Sequence, residues 1–336
     1  GRRLPFLMRR SRIIAAVKDF FARENFAEVD TPILQISPGM EVHLNAFETE
    51  FVDITGRQSV PLYLHTSPEF AMKKLLSFGL GNIYQFAHAF RNEIVSPAHY
   101  PEFTMLEWYR TGCGYEKLME DCGEILAAAL KAAGGKSFAR GDAECGLEKG
   151  IERLTVAEAF ERFCGLDLFA AIDDAAAPTP LLIAPEAEKR NVSVSVSDTW
   201  DDIFEKMMLR FVEPNLGIGR PTILCEYPIH QAALSKPKPD FPDIAERFEL
   251  YVCGVELANA FTELTDAEAQ RARFVRDMRE KKRLYGKAYP VDEDFIEAVA
   301  HLPDCAGIAL GVDRLVMLAT GAADIRDVMW SGIPGI

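Results

Sequence analysis

The sequence lacks the residue spacings that mark a structural zinc site. Its 7 cysteines include no CxxC pair, and its 6 histidines form no HxxxH or CxxxH pattern. It also lacks a long apolar run, since the longest, ILAAALKAA at 125–133, is too short to span a bilayer. The basic start GRRLPFLMRRSR has no apolar segment behind it, as a signal peptide would. We therefore expect a cytoplasmic protein with free thiols, without zinc and without a membrane span.

Basic residues are in the minority. Lys and Arg number 37 against 51 Asp and Glu, which gives a formal net charge of −14. Non-specific binding to nucleic acid depends on Lys and Arg contacts with phosphates, so the composition is unfavourable for tRNA binding, although it leaves room for a local basic patch. The 336 residues suit one large domain or two modest ones. The glycine-rich motifs GxGxxG and GxxxxGK[ST] are missing, as is any internal repeat.

The hydrophobic periodicity predicts a mixture of helices and hairpin-linked strands. The predicted helices cover 9–26, 115–133, 199–212 and 265–284, and the predicted strands cover 46–53, 62–66, 83–92, 103–110, 245–253 and 255–263. Capping boxes at 155–158 and 265–268 predict helix starts, the Ala- and Pro-rich stretch 170–187 predicts a loop, and GIALGVDRLVML at 307–318 predicts a strand that runs into a helix. Such a mixture favours an α+β fold with an antiparallel sheet and helices on its faces.

The strand that ends near Arg91 and the strand that follows it carry an unusual set of side chains. With a period of two, Arg91 falls on the small, polar face of the first, which suits the floor of a ligand pocket. One face of the second collects Phe103, Met105, Glu107 and Tyr109. A phenyl ring can stack on a planar base, while an acid and a phenol can bind an amine. The planar guanidinium of Arg91 matches phosphate or carboxylate, although a surface ion pair is the simpler explanation for a lone arginine.

A second group of charged residues lies towards the C-terminus. Glu249 and Glu256 stand seven residues apart on strands joined by a predicted tight turn, so their carboxylates can approach across the ladder. Two such carboxylates repel unless a cation lies between them, and oxygen ligands favour Mg²⁺; two solvent-facing glutamates are the alternative. Gly311 predicts a close approach of the backbone to another group. Arg314 is placed where a strand becomes a helix, an end that favours anions. With Arg91, these residues describe a polyphosphate clamp.

The motifs resemble those of class II aminoacyl-tRNA synthetases, and of the lysyl branch in particular. FRNE followed by HYPEFTMLEWY (about 83–110) is similar to motif 2, GIALGVDRLVML (about 303–320) to motif 3, and the segment from Arg9 through EVDTP (about 9–32) to motif 1, the dimerisation element. TSPEF and ELANAFTELTD are similar to the lysyl-specific members. The resemblance runs from about residue 9 to about residue 320, with a more loosely matched middle region at 136–240.

The resemblance implies a fold, cofactors and roles for particular residues. The fold is a six-stranded antiparallel sheet flanked by helices, working as a homodimer with ATP and Mg²⁺. Arg91 and Arg314 are the implied catalytic residues, on the α- and γ-phosphates, Phe103 stacks on adenine, and Glu249 and Glu256 hold Mg²⁺. The implied ATP-binding residues are Arg91, Asn92, Glu93, His99, Tyr100, Phe103, Glu256, Leu257, Gly311 and Arg314. The implied amino-acid pocket consists of Ser67, Pro68, Glu69, Glu93, Tyr109, Glu263 and Ala309.

The chain also departs from full lysyl-tRNA synthetases. Too few residues precede the motif 1 segment for an OB-fold anticodon-binding domain, so we expect a single catalytic domain over 1–336. This resembles the truncated paralogues that attach (R)-β-lysine to a lysine side chain of elongation factor P. Ala309 replaces a glycine of ordinary members, as in the paralogues, and an added methyl shifts selectivity by roughly 1–3 kcal/mol. Ala260 replaces a glycine that the paralogues keep, and the sequence offers no explanation for it.

Three alternatives remain open at this level. The first is the catalytic domain of a lysine–tRNA ligase without its anticodon domain, against which Ala309 argues. The second is a non-catalytic, synthetase-like amino-acid sensor, whose usual signature is loss of the residues that bind ATP; here Arg91, Glu249, Glu256 and Arg314 are all present. The third is a ligase that transfers lysine to a small molecule. The sequence does not show which lysine isomer is preferred or where the acceptor docks.

Overall fold

The computed structural model describes residues 1–232 and 234–335. Its α-helices are α1 (Leu4–Arg23), α2 (Glu69–Ser77), α3 (Tyr115–Ala133), α4 (Val156–Cys164), α5 (Pro180–Lys189), α6 (Trp200–Met207), α7 (Ala267–Tyr285), α8 (Glu293–Ala300) and α9 (Val312–Thr320). Its strands are β1 (Ala27–Glu28), β2 (Leu34–Gln35), β3 (Glu48–Val52), β4 (Ser59–Leu64), β5 (Ile83–Phe90), β6 (Glu102–Thr111), β7 (Ser137–Arg140), β8 (Ala143–Gly146), β9 (Glu152–Thr155), β10 (Thr222–Cys225), β11 (Arg247–Val252), β12 (Val255–Thr262) and β13 (Cys305–Gly311). Within these ranges, no helix is both long and apolar enough to cross a bilayer.

The main sheet has the order β1-β5-β6-β13-β12-β11-β10-β9. The six strands from β5 to β10 pair antiparallel, which confirms the predicted antiparallel sheet. The sheet is larger than predicted, because β1 pairs parallel with β5 at one edge and β9 pairs parallel with β10 at the other. These edge strands have only 2 and 4 residues, too few to show a period of two in the sequence.

Helices α1, α3 and α9 cover one face of the sheet and enclose the main core. The period of two along β6 sends Leu106 and Trp108 into this core, where both are fully buried. Phe21 of α1 stacks on Tyr84 of β5 with ring centroids 4.3 Å apart, and meets Trp108 edge-on at 5.6 Å. The opposite face of β6, with Phe103 to Tyr109, is thereby left to line a cavity.

Several local predictions are confirmed. Helix α3 has the predicted bounds, and Gly134 ends it in the left-handed conformation, with φ of 73°. The capping box at 155–158 opens α4. The β11–β12 hairpin turns at Cys253 and Gly254, whose φ angles of 53° and 68° suit a two-residue hairpin turn.

Other local predictions are wrong. Residues 170–187 are not all loop: Thr179 caps α5, and Ile183 and Ala187 are fully buried in the core that α5 and α6 share. Burial of one helix face therefore outweighs the Ala- and Pro-rich composition. Helix α7 begins after Asp266, whose carboxylate accepts the amides of Glu268 and Ala269, and not in a capping box at Thr265. Helix α1 begins before residue 9, at Leu4, and the α-helical part of 199–212 ends at Met207.

A buried ion pair joins three elements beneath the cavity. Arg10 of α1 donates hydrogen bonds to the carboxylate of Asp313 on α9 and, at 2.9 Å, to the hydroxyl of Thr104 on β6. The other oxygen of Asp313 accepts the amide of Thr104 at 2.6 Å. The side chains of Arg10 and Asp313 are only 4% and 3% exposed. The segments that resemble motifs 1, 2 and 3 thus meet at one pair of opposite charges.

We predict that Arg10→Met lowers the free energy of unfolding by about 3–5 kcal/mol, because Asp313 then stays buried without its cation. Arg12→Met is the matched control, since Arg12 lies on the same helix but is exposed; its change should stay within about 0.5 kcal/mol. Urea denaturation of both variants measures the difference. Equal losses would show that the helix, and not the ion pair, is responsible.

Candidate functional site

The cavity on the open face of the sheet has a volume of about 1300 Å³. It collects almost all of the residues predicted from the sequence: Ser67, Glu69, Arg91, Glu93, His99, Tyr100, Phe103, Tyr109, Glu249, Glu256, Leu257, Glu263, Ala309, Gly311 and Arg314. Pro68 and Asn92 are not among the lining residues. Pro68 precedes the first turn of α2, and the amide of Asn92 donates to the carbonyl of Asn45. The structure therefore brings these predicted residues together around one cavity, while Pro68 and Asn92 lie next to it in the chain; the roles assigned to them stay predictions.

Strand β5, predicted at 83–92, contributes less to the cavity than expected. Its polar face was expected to form the floor, but of that face only Arg91, just beyond the end of β5, reaches the lining. Gln85 is buried and accepts a hydrogen bond from the hydroxyl of Thr31 at 2.9 Å. The segment that follows β1 thus covers this face. Strand β6, predicted at 103–110, places its side chains as predicted, because Phe103, Met105, Glu107 and Tyr109 all line the cavity.

One end of the cavity is cationic and aromatic. The guanidinium carbon of Arg91 lies 5.3 Å from the ring centre of Phe103, and its Nε is buried without a hydrogen-bond partner in the described residues. A buried N–H without a partner is costly, and a bound anion would satisfy it. The ring of Phe103 offers a face on which a planar base can stack.

Arg314 completes this end from the first turn of α9. Its guanidinium donates to the carbonyl of Glu256 at 2.7 Å and lies 2.8 Å from Nε2 of His99. Burial, together with Arg314 and Arg91, lowers the pKa of His99, so the imidazole stays neutral between the two arginines at neutral pH. Gly311 does not have a left-handed backbone, and a Cβ there would make only ordinary contacts with Arg314. The predicted close approach at Gly311 is therefore not required by the chain's own packing.

The glutamate pair lies on the wall beside Arg314. Glu249 and Glu256 are not direct cross-strand partners, since a bulge after Leu250 pairs them with Asn259 and Tyr251 respectively. Both nevertheless face the cavity. Burial raises the pKa of Glu249, and repulsion from Glu256 adds to the effect, against the attraction of Arg247.

Two further carboxylates increase the negative charge at this wall. Burial raises the pKa of Glu213 to about 7, with added repulsion from Glu205, Glu249 and Glu256. Within residues 1–232 and 234–335 no three His, Cys, Asp or Glu side chains form a ready-made metal site. Mg²⁺, however, commonly binds through one or two carboxylates with waters and phosphates. The oxygens of Glu249 already accept hydrogen bonds from Arg247, Tyr227 and Tyr251. Glu256 is therefore the more accessible metal ligand of the pair. A bound cation would relieve the repulsion between the carboxylates of Glu249 and Glu256.

The other end of the cavity is acidic and deeply buried. Glu107 and Glu263 are each 1% exposed, and burial raises the pKa of each to about 8. Glu107 accepts the hydroxyl of Ser67 and, at 3.1 Å, that of Tyr109. One oxygen of Glu263, Oε1, has no hydrogen-bond partner among the described residues. The acids thus lie close together in a medium of low dielectric, which explains why they hold their protons.

One lysine partly neutralises these acids. Lys73 of α2 lies 2.5 Å from an oxygen of Glu69 and 2.5 Å from an oxygen of Glu263. Burial alone would lower the pKa of Lys73, but the two carboxylates outweigh it and raise the pKa. One internal cation therefore pairs with Glu69 and Glu263, while Glu107 accepts hydrogen bonds from the phenol of Tyr109 and the hydroxyl of Ser67. Three acids thus share one cation, and a cationic ligand would favour release of the protons from Glu107 and Glu263 and pair with the carboxylates that form.

Close packing at this end depends on a glycine. A Cβ at Gly307 would lie 2.3 Å from the ring of Tyr109 and 2.4 Å from Oε1 of Glu263. No real side chain tolerates such contacts, so Gly307 makes room for both groups. The next alternate residue, Ala309, pairs with Glu107 on one side and Asn259 on the other, and it lines the cavity.

Ala260 lies on the opposite side of the sheet from the cavity. It is fully buried in the main core with its strand neighbours Phe248 and Ile308. Its methyl group therefore packs against apolar side chains and does not line the cavity. The departure at Ala260 is a feature of the core, whereas the departure at Ala309 changes the cavity.

Some residues of the site were missed at the sequence level. Glu107 was placed on the cavity face but was not assigned to the amino-acid pocket, although it lies beside Tyr109. Lys73 follows Glu69 by four residues, the helical spacing that puts both on one face, so the sequence held a signal for it. Arg247 precedes Glu249 by two residues on one strand face. Glu41 lies in a loop without periodicity, and no sequence pattern indicates it.

Comparison with known proteins agrees with this geometry. A family model described as tRNA synthetases class II (D, K and N) matches residues 3–330. The elongation factor P–(R)-β-lysine ligase of Proteus mirabilis (strain HI4320) is 38% identical over 324 residues, which cover 96% of this chain and 93% of that protein. The ligase of the same name from Salmonella heidelberg (strain SL476) is 38% identical over 330 residues, covering 97% and 94%. The chain belongs to the class II tRNA synthetases of the D, K and N group.

Proposed function

We propose that this chain is an ATP-dependent ligase that activates (R)-β-lysine, or lysine, as an aminoacyl-adenylate and transfers it to a lysine side chain of elongation factor P. The observation that carries the proposal is the division of one cavity into an acidic end, with Glu107 and Glu263, and a cationic end, with Arg91 and Arg314. A diamino acid and a polyphosphate fit these ends by charge. The relatives named for this reaction support the acceptor.

The first half-reaction needs no nucleophilic side chain. A carboxylate oxygen of the amino acid attacks the α-phosphorus of ATP, the bond from that phosphorus to the bridging oxygen breaks, and pyrophosphate leaves. Arg91 offsets charge on the α-phosphate, Arg314 binds the γ-phosphate, and Phe103 stacks on adenine. Mg²⁺ held by Glu249 and Glu256 would supply further charge compensation on the triphosphate. Positioning and electrostatic stabilisation therefore supply the catalysis.

The second half-reaction transfers the activated acyl group. A neutral amine of the acceptor attacks the carbonyl carbon of the adenylate, the bond from that carbon to the phosphate oxygen breaks, and AMP leaves. The nitrogen loses a proton, and an amide remains. The acidic end keeps hold of the distal ammonium group of the substrate, so that the carbonyl stays oriented towards the acceptor.

The assembly and the location are also part of the proposal. A homodimer is supported by apolar side chains that are exposed near the motif 1 segment, including Met8, Leu34 and Ile36 at 55%, 50% and 42% exposure, because large exposed apolar patches commonly mark interfaces. All 7 cysteines are free, which suits the reducing cytoplasm. We further propose that residues 1–336 form a single catalytic domain.

Intact-mass analysis tests the acceptor. Elongation factor P incubated with the enzyme, Mg²⁺, ATP and (R)-β-lysine should gain the mass of one lysyl unit, and should gain less with α-lysine. tRNA charging is run in parallel, and the enzyme itself should sediment as a dimer. If tRNA is charged and elongation factor P stays unmodified, the result would instead favour a lysine–tRNA ligase. If neither acceptor is modified and pyrophosphate exchange is also absent, the result would favour an amino-acid sensor.

Arg91→Ala should reduce the rate of ATP–pyrophosphate exchange by about a hundredfold or more, because one preorganised cationic donor is lost at the reacting phosphate. Arg57→Ala is the control, since Arg57 is exposed in the β3–β4 hairpin and distant from the cavity lining; its rate should stay that of the parent. An unchanged rate in the Arg91 variant would refute the role of this residue.

The acidic end predicts a pH dependence of stability. The pKa of Glu107 and that of Glu263 are about 8 in the folded chain, above their ordinary value, so the folded state retains protons that the unfolded state has released. Stability without ligand should therefore fall as the pH rises from about 6 to about 8. Bound (R)-β-lysine should restore it, because its ammonium group pairs with the ionised carboxylates.

Thermal melts at both pH values, with and without the amino acid, provide the measurement. Glu107→Gln cannot ionise and should show a smaller fall. A melting temperature that rises over this pH range in the parent chain would contradict the assignment of protons to these carboxylates.

A further inference from the structure

One carboxylate in the cavity has no role in the reaction described above. Glu41 lies in the loop between β2 and β3 and lines the cavity together with Glu69 and Arg91. Its Oε2 atom is buried and has no hydrogen-bond partner in the part of the chain that the structure describes. A buried oxygen of an acid without a donor is costly to the fold, which points to a ligand that supplies the donor.

The loop that carries Glu41 is held in place from α7. The Nζ atom of Lys281, which is fully buried, donates to the carbonyls of Val42 at 2.8 Å and Leu44 at 2.6 Å, with a longer contact of 3.4 Å to the carbonyl of Glu41. Lys281 thus donates its hydrogen bonds to backbone carbonyls and not to the carboxylate of Glu41. The backbone of the loop is therefore held in place, while the carboxylate of Glu41 receives no hydrogen bond from Lys281.

The local packing also leaves space for this carboxylate. Gly39 has a φ of 142°, and a Cβ there would lie 2.7 Å from Oε2 of Glu41 and 2.6 Å from the hydroxyl of Thr66. The glycine thus allows the acid to fold back beside the segment Thr66–Ser67, which leads into α2 and Glu69. Glu41 and Glu69 come together by this packing.

The electrostatic surroundings indicate what kind of ligand fits. Burial raises the pKa of Glu41 and repulsion from Glu69 adds to the rise, whereas a hydrogen bond from its own backbone amide and attraction by Arg91 and Lys281 oppose it. Lys73 bonds to Glu69 and Glu263 and has no contact of this kind with Glu41. Within the described residues, Glu69 thus has a cation at hydrogen-bonding distance, whereas Glu41 has only the longer-range attraction of Arg91 and Lys281. A ligand with a positive charge at this point would complete the arrangement.

We propose that Glu41, together with Glu69, binds the ammonium group of the substrate that lies nearer its carboxylate, and so helps to determine which amino acids are accepted. This inference rests on the proposed function, in which the substrate carboxylate points towards Arg91 and the distal ammonium lies at Glu107 and Glu263. Because Glu41 lies near Arg91, it lies beside the proximal ammonium. The acids of the cavity then form two separate sites, one for each amine of a diamino acid.

The test compares two enzymes and two kinds of ligand. (R)-β-Lysine and α-lysine carry a proximal ammonium, whereas 6-aminohexanoate has a carboxylate and a distal ammonium but no proximal one. In Glu41→Gln, the KM for both diamino acids in ATP–pyrophosphate exchange should rise about tenfold or more, as expected for loss of a charge-assisted hydrogen bond. The concentration of 6-aminohexanoate that halves the exchange rate, measured at a fixed ratio of lysine to its KM, should be the same in both enzymes.

Two controls separate this role from a structural one. Glu124→Gln, at an exposed position of α3, should change neither constant. Glu41→Asp keeps the charge and should retain more affinity for the diamino acids than Glu41→Gln, whereas a purely structural role would make the shortened side chain at least as harmful. Melting temperatures identify any variant that fails to fold.

The outcomes are distinct. An unchanged KM for the diamino acids in Glu41→Gln would overturn the inference, as would an equal loss of affinity for 6-aminohexanoate. Absence of pyrophosphate exchange by the parent enzyme with either diamino acid would instead overturn the proposed function, because the parent retains Glu41. A selective loss for the diamino acids would establish Glu41 as a specificity residue.

Discussion

The buried pair of Arg10 and Asp313 fixes the geometry on which the cationic end of the cavity, with Arg91, Phe103 and Arg314, depends. Both partners form hydrogen bonds with Thr104, which directly follows Phe103 in the chain. Asp313 also directly precedes Arg314. Phe103 and Arg314 both line the cavity. Because neighbouring residues of a strand point to opposite faces, anchoring Thr104 below the sheet holds Phe103 above it. A buried ion pair is seldom a large net source of stability. Its value here is that it sets three segments, distant in sequence, in one register.

Under the proposed function, the cavity has to meet a problem of charge that any enzyme for a diamino acid faces. Two ammonium groups must leave water, and each needs a negative partner that is itself costly to bury. In the free chain this cost appears as raised pKa values at Glu107 and Glu263 and as the shared cation Lys73. An apolar amino acid would leave these groups unpaired, and a site built for a polar group rejects the analogue that lacks it by roughly 10⁴-fold. Under the proposed function, the burial of Glu107 and Glu263 thus has two effects. It lowers the stability of the site without a ligand, and it discriminates against substrates that lack an ammonium group.

The parts of the fold and of the site that could be predicted from the sequence are those formed by residues close together in the chain. The alternation along β6 and the turn at Cys253 and Gly254 are local, and the predictions for them were right. The edge strands β1 and β9, and helix α5, owe their existence to contacts with distant elements, and the predictions for them were incomplete or wrong. In the candidate site, the family resemblance supplied residues on strands and helices with recognisable motifs. It did not supply Glu41, whose position is set by Lys281 from a helix more than two hundred residues away in sequence.

The two alanines that replace glycines show why position must be known before a substitution is interpreted. In sequence, Ala260 and Ala309 are equivalent departures, each one methyl larger. In the structure, they lie on opposite faces of the sheet, and only Ala309 borders the space between Glu107 and Asn259. A methyl there alters selectivity by steric fit alone, which is worth roughly 10- to 200-fold. Charge can add to this only where the two isomers place their ammonium groups differently, which is at the proximal amine. In the proposed binding mode, isomer choice therefore arises from shape at Ala309 and from the carboxylates near Arg91, and not from Glu107 and Glu263, which would bind the amine common to both isomers.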